Sequence, residues 1–189
     1  MDNQRSAAWE EFRRDAIATL RDDGRIGRRG EHVVAPVIHV FHYPAFTTVQ
    51  TVDIYRNTRI SDGDVAYRCV RGRWDQLSDQ RQFSSPVDWV RAMRLKQLGE
   101  LKPTIEYTKA DVDLQFGHDL EERIKSVQLP VVTPRRSWGL DGETWTVRFG
   151  DFWTGAEYHW WVNCPDEWRV LGDIVDDVWR ACDVNDHTG

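Results

Sequence analysis

Apolar residues near the start of the chain recur at helical spacing. Ala8, Trp9, Phe12, Ala16 and Leu20 fall on one face, with Arg5, Glu10, Arg13 and Arg14 around the rest. The pattern predicts a helix from Gln4 to Asp22, capped by Asp2 or Asn3 and stopped by Gly24 before the basic loop "GRIGRRG". From His32 to Tyr43 the text "HVVAPVIHVFHY" is rich in β-formers but holds Pro36. Proline donates nothing to a ladder, so an edge strand or a bulge is expected there. Thr47–Arg56 and Asp64–Trp74, separated by the turn "SDGD", read as two more strands, and the three predict an antiparallel meander.

The second half alternates helix and strand patterns. "SSPVDWVRAMRLKQLGE" predicts a helix capped by Ser84 or Ser85, with Pro86 in its first turn and Trp89, Val90, Met93 and Leu98 facing inward. "KPTIEYTKADVDL" sets Ile105 and Tyr107 against Glu106 and Thr108, as in a half-exposed strand, and "HDLEERIKSVQ" is a short helix. The proline-bearing run "LPVVTPRR", near residues 129–137, is the candidate subdomain boundary. Trp145, Val147 and Phe149 then oppose Thr144, Thr146 and Arg148; Tyr158, Trp160 and Val162 oppose His159, Trp161 and Asn163. "GDFWTGAE" joins these two runs as a hairpin. Pro165 opens a helix whose apolar stripe is Trp168, Leu171, Ile174, Val175, Val178 and Trp179. The predicted fold is α+β: one domain over residues 1–189, with a mainly antiparallel sheet of about five to seven strands packed against N- and C-terminal amphipathic helices.

Composition narrows the class. The chain has 189 residues and is 40% hydrophobic, enough for a core without disulfides. No apolar run suggests a membrane span, and the charged start "MDNQRSAAWEEFRRD" lacks the apolar core of a secretory signal. Cys69, Cys164 and Cys182 are three widely spaced thiols, expected to remain reduced in a cytoplasmic protein. The net charge of −6 is uneven: residues 1–100 hold 16 basic against 14 acidic side chains, residues 101–189 hold 9 against 17. The acidic half disfavours nucleic acid, which needs basic contacts to phosphate, and suits a basic protein partner.

Candidate chemistry is sparse. His39 and His42 are three apart on a strand and point to opposite faces, so no shared metal is expected; no cofactor motif occurs. Glu106, Asp111 and Asp113 with Lys109 lack the spacing of a metal-dependent nuclease strand, because Glu106 and Lys109 point to opposite faces. Arg21, Arg25, Arg28 and Arg29 with Arg68, Arg71 and Arg73 form a basic set suited to a phosphate or to solubilising the surface. Seven of the ten tryptophans lie between Trp138 and Trp179. Adjacent Trp160 and Trp161 must face opposite sides of a sheet, one into the core and one toward a second layer, a ligand or a partner.

The series Leu140-Asp141-Gly142, Trp145, Tyr158, Trp160-Trp161, Pro165 and Trp168 with its closing helix resembles the ending of a group of uncharacterised bacterial proteins. Some of these lie in settings suggesting immunity or toxin–antitoxin-like roles. The resemblance covers about the last fifty residues and implies no active site. The leading expectation is therefore a non-catalytic, immunity-like interaction protein. It would present Trp161, Trp153, Asp173, Asp176 and Asp177 to a protein partner. The alternatives are an enzyme or small-ligand binder with a pocket using His42, Glu106 and His159, and an assembly component of a phage or mobile element.

Overall fold

The computed structural model describes residues 2–21, 27–29, 31–44, 48–129, 142–150 and 155–183. The elements are α1 (Asp2–Arg21), β1 (Gly27–Arg29), β2 (His32–Pro44), β3 (Val49–Arg59), β4 (Val65–Trp74), α2 (Gln76–Arg81), α3 (Pro86–Gln97), β5 (Ile105–Val112), α4 (Leu114–Ser126), β6 (Glu143–Gly150), β7 (Gly155–Trp161), a 3₁₀ turn (Asp166–Trp168) and α5 (Arg169–Asp183). The architecture is α+β. All strand pairs are antiparallel, in the order β5-β4-β3-β2-β6-β7, and β1 pairs with the start of β2.

Strand β2 is central. It pairs with β3 along most of its length and with β6 from Ile38 to Pro44, so the C-terminal hairpin and the early meander share one sheet. The register shifts between Pro36 and Ile38. Pro36 falls between the stretch held by β1 and the stretch held by β6, where no donor is needed on that side. The bulge also reverses the side-chain alternation. His32 and Val34 therefore lie on the same face as His39.

Each face carries its own core. On one, Ile38, Val40, Val52, Ile54, Tyr67 and Val147 meet α4 and α5 through Leu120, Leu171, Ile174, Val175 and Val178. A tryptophan seam between the hairpin and α5 forms here. Trp145 stacks on Trp160 and meets Trp179 edge-on, while Tyr158 meets Trp168 edge-on. On the opposite face Phe41, Val49 and Trp74 meet Phe12, Ala16 and Leu20 of α1, with Phe83 and Ala92 closing the cluster. Gly117 lets α4 approach the sheet: a Cβ there would lie 2.2 Å from the Tyr67 ring.

Four sequence readings change. Val90 and Leu98, expected to face inward, are 66% and 60% exposed; Ala92, Trp89 and Met93 form the inner face of α3 instead. Helix α4 starts four residues before His118, because the Asp113 carboxylate accepts a hydrogen bond from Phe116 N and caps it there. Val162 does not continue β7; it turns into the left-handed region at φ 61° and is exposed. Helix α2 had no apolar period to reveal it. It is held by Asp79, a fully buried carboxylate that accepts hydrogen bonds from Trp74 Nε1, Thr104 N, Thr104 Oγ1 and Gln82 Nε2. Trp138, Trp153, Gly24 and most of the run at 129–137 lie outside the described residues.

The thiols are the largest correction. Cys69 of β4 and Cys182 of α5 are joined by a disulfide, and only Cys164 is free. Their separation of 113 residues hid the pairing, which exists only once α5 lies across β4. Alkylation of the unreduced, denatured protein is expected to label Cys164 alone. In urea unfolding, Cys182→Ser is expected to cost about 2–5 kcal/mol. Labelling of all three thiols together with an unchanged midpoint would contradict the pairing.

Candidate functional site

The two sheet faces are covered unequally. Helix α1 crosses one face and ends at Arg21, just after Leu20 settles over Gly72. A Cβ at Gly72 would stand 2.8 Å from Thr51 Oγ1 and 3.1 Å from Leu20 Cδ2, so glycine permits this close approach. Beyond that point no described helix covers the same face, which forms a cavity of about 620 Å³, a size typical of small-molecule sites.

Strand alternation builds its floor. On this face β3 contributes Tyr55, Asn57 and Arg59; β4 contributes Ala66, Arg68 and Val70; β5 contributes Tyr107 and Lys109. Val34 and His32 join them because of the β2 bulge, opposite Asn57 and Arg59. The apolar part is Val34, Tyr55, Ala66, Val70 and Tyr107, with Tyr55 and Val70 deeply buried. The charged groups sit around it. Arg59 is bonded to Asp62 and Asp64, and Arg68 Nε and Nη2 both donate to Asp111 Oδ1 at 3.1 Å. Lys109 has no hydrogen-bond or ion-pair partner among the described residues.

A buried hydrogen-bonded pair adjoins this floor. His39 Nδ1 lies 2.6 Å from Asp53 Oδ1, with the two residues 3% and 5% exposed. They face each other across β2 and β3, and Asp53 is opposite Val70 of the floor. The pair had a signal in the sequence: His39 and Asp53 are ionisable residues within the most β-branched and aromatic stretches of β2 and β3, where burial is expected. What hid it was that pairing partners must be known before two lone polar residues become one site.

The expected pocket of His42, Glu106 and His159 is not brought together. His42 lies on the α5 face, where Nε2 is 2.7 Å from Glu143 Oε2 and the ring stacks 4.0 Å from Trp145. Glu106 is on that face too, but the cross-strand row runs His42, Gln50, Arg73, Glu106, which sets them three strands apart. His159 is on the other face, hydrogen-bonded with Thr146 Oγ1 at 2.9 Å and paired with Glu157. Basic residues are divided similarly: Arg68 faces the cavity, while Arg71 reaches Gln50, Asp183 and the Trp179 ring on the α5 face.

The proposed partner-binding residues are also dispersed. Trp161 lies on the α1 face of edge strand β7, half-buried, its ring packed on Gly142. Asp173 and Asp176 are exposed on α5, which covers the opposite face and carries exposed Arg169 and Arg180 beside them. Asp177 is engaged by Arg123 of α4 and by Arg180. Trp153 lies outside the described residues.

Two further groups have their chemistry set by burial. The Tyr67 phenol is pushed up to about 12 by burial and by the negative charge of Glu121, so it remains protonated at neutral pH. Burial likewise raises the Cys164 thiol, which disfavours the nucleophilic thiolate. Among the described residues no set of three or more His, Cys, Asp or Glu side chains is placed to hold a metal ion. No helix among them is long and apolar enough to cross a membrane. No family model matches the chain, and no curated protein or solved structure matches it.

The His39–Asp53 pair sets a stability contrast. Asp53→Ala leaves the buried His39 Nδ1 without its partner and is expected to cost about 1–3 kcal/mol in urea unfolding. Asp111→Ala removes only an exposed partner of Arg68 and is expected to leave the midpoint nearly unchanged. Equal effects would contradict the burial of the pair.

Proposed function

We propose that the chain is a small-ligand-binding protein whose site is the open sheet face beyond the end of α1. The observation that carries this reading is the cavity of about 620 Å³, floored by Val34, Tyr55, Ala66, Val70 and Tyr107. Apolar side chains on a sheet face are normally covered by a second layer; among the described residues that layer ends with α1 at Arg21 and leaves room for a ligand. Three of the contributing strands belong to one continuous meander, so the floor is rigid and formed before any ligand arrives. The buried Cys69–Cys182 bond supports residence in an oxidising compartment in place of the reducing cytoplasm expected from the sequence.

A second reading, the immunity-like interaction protein, draws support from β7. This strand has an unpaired edge among the described residues and carries half-exposed Trp161, a combination suited to a partner that adds a strand. Its acidic component is weaker, since Asp173 and Asp176 lie across the sheet from Trp161 and between arginines.

The test separates the two surfaces. Nile red, a neutral apolar dye, is expected to brighten on the wild-type protein and to lose at least about ten-fold in affinity on Ala66→Trp, which fills the floor. Trp161→Ala is expected to leave dye binding unchanged. Binding that survives Ala66→Trp but is lost in Trp161→Ala would overturn the assignment.

A further inference from the structure

The charges around the cavity restrict what it can hold. Of the Arg and Lys side chains lining it, Arg59 already serves Asp62 and Asp64, and Arg68 serves Asp111. Lys109 is the remaining cation, with no carboxylate partner among the described residues. It stands directly across the β4–β5 ladder from Val70, at one end of the apolar floor. Ala66 and Asn57 mark the other end, about 13 Å away at the usual rise of a strand. A polyphosphate would need several free cations, and a neutral apolar molecule would leave the lysine unused.

Resting on the ligand-binding reading above, we infer that the site takes a small amphipathic monoanion: an extended apolar body along Val70, Tyr55 and Ala66, with a single carboxylate-type head on Lys109. The apolar body gains from leaving water over the floor. The head gains a charge-assisted hydrogen bond from the Lys109 ammonium. The half-exposed position of Tyr107 beside Lys109 leaves the mouth open to solvent, so the head keeps part of its hydration while the body is covered. Arg68 stays with Asp111 and frames the entrance rather than competing for the head.

Calorimetric titration of the full chain with octanoate and with 1-octanol tests this, using wild type, Lys109→Gln and Ala66→Trp. Wild type is expected to bind octanoate about five-fold or more tightly than octanol. Lys109→Gln is expected to bring octanoate to the level of octanol and to leave octanol unchanged. Lys109 is exposed, so the variant is expected to fold, and its circular dichroism checks this. Equal affinities in wild type, or octanoate binding indifferent to Lys109→Gln, would overturn the monoanion assignment while the cavity reading stands. Loss of both ligands in Ala66→Trp locates them on the floor. Absence of binding in wild type, or binding that survives Ala66→Trp, would overturn both.

Discussion

The pairing of β2 with β6 is the constraint on which the rest depends. It joins two parts of the chain about a hundred residues apart, and the His42–Glu143 contact across it has a separation of 101. Without it the meander β2–β4 would end at an exposed edge, and the C-terminal hairpin would have no sheet to extend. The pairing buries β2 on both faces, with Ile38 and Val40 toward α5 and His39 and Phe41 toward α1. It also lets α5 lie across strands from both halves and reach Cys69 with its last turn.

From that arrangement follows the difference between the two faces. The α5 face is closed by two helices, a disulfide, the Arg123–Asp177 bridge between α4 and α5, and a stack of tryptophans. On the α1 face the helix reaches Leu20, where Gly72 allows contact, and no described helix lies over the cavity floored by Tyr55, Ala66 and Val70. Tryptophans pack on both faces: Trp145, Trp160, Trp168 and Trp179 against α5, and Trp9, Trp74 and Trp89 in the cluster around α1. The proposed binding floor is built from less conspicuous residues, Val34, Tyr55, Ala66, Val70 and Tyr107, beside a lysine.

Much of the fold was legible because period and burial agree. The α1 stripe Phe12, Ala16 and Leu20, the hairpin alternation around Trp145 and Trp160, and the α5 stripe are all local patterns with one strong solution. The outer face of α3 was misread because Val90 and Leu98 are apolar yet exposed, and period alone cannot say which stripe of a helix meets the core. Site residues were harder. Val70 and Lys109 sit 39 positions apart in the chain and meet only through the β4–β5 register. The bulge at Pro36 moves His32 and Val34 to a face that simple alternation would deny them. Of the residues noticed for their chemistry, His159 is set on the other face by alternation, while His42 and Glu106 share a face but stand three strands apart.

The sheet face beyond α1, not the tryptophan-rich end, is the proposed seat of a ligand. Amide chemical-shift mapping of the labelled protein during titration with octanoate tests it most directly. Shifts are expected to concentrate at Val34, Tyr55, Ala66, Val70 and Lys109, with α5 and β7 unaffected. Shifts concentrated at Trp161 and along β7, or on the outer face of α5, with the cavity floor silent, would contradict it.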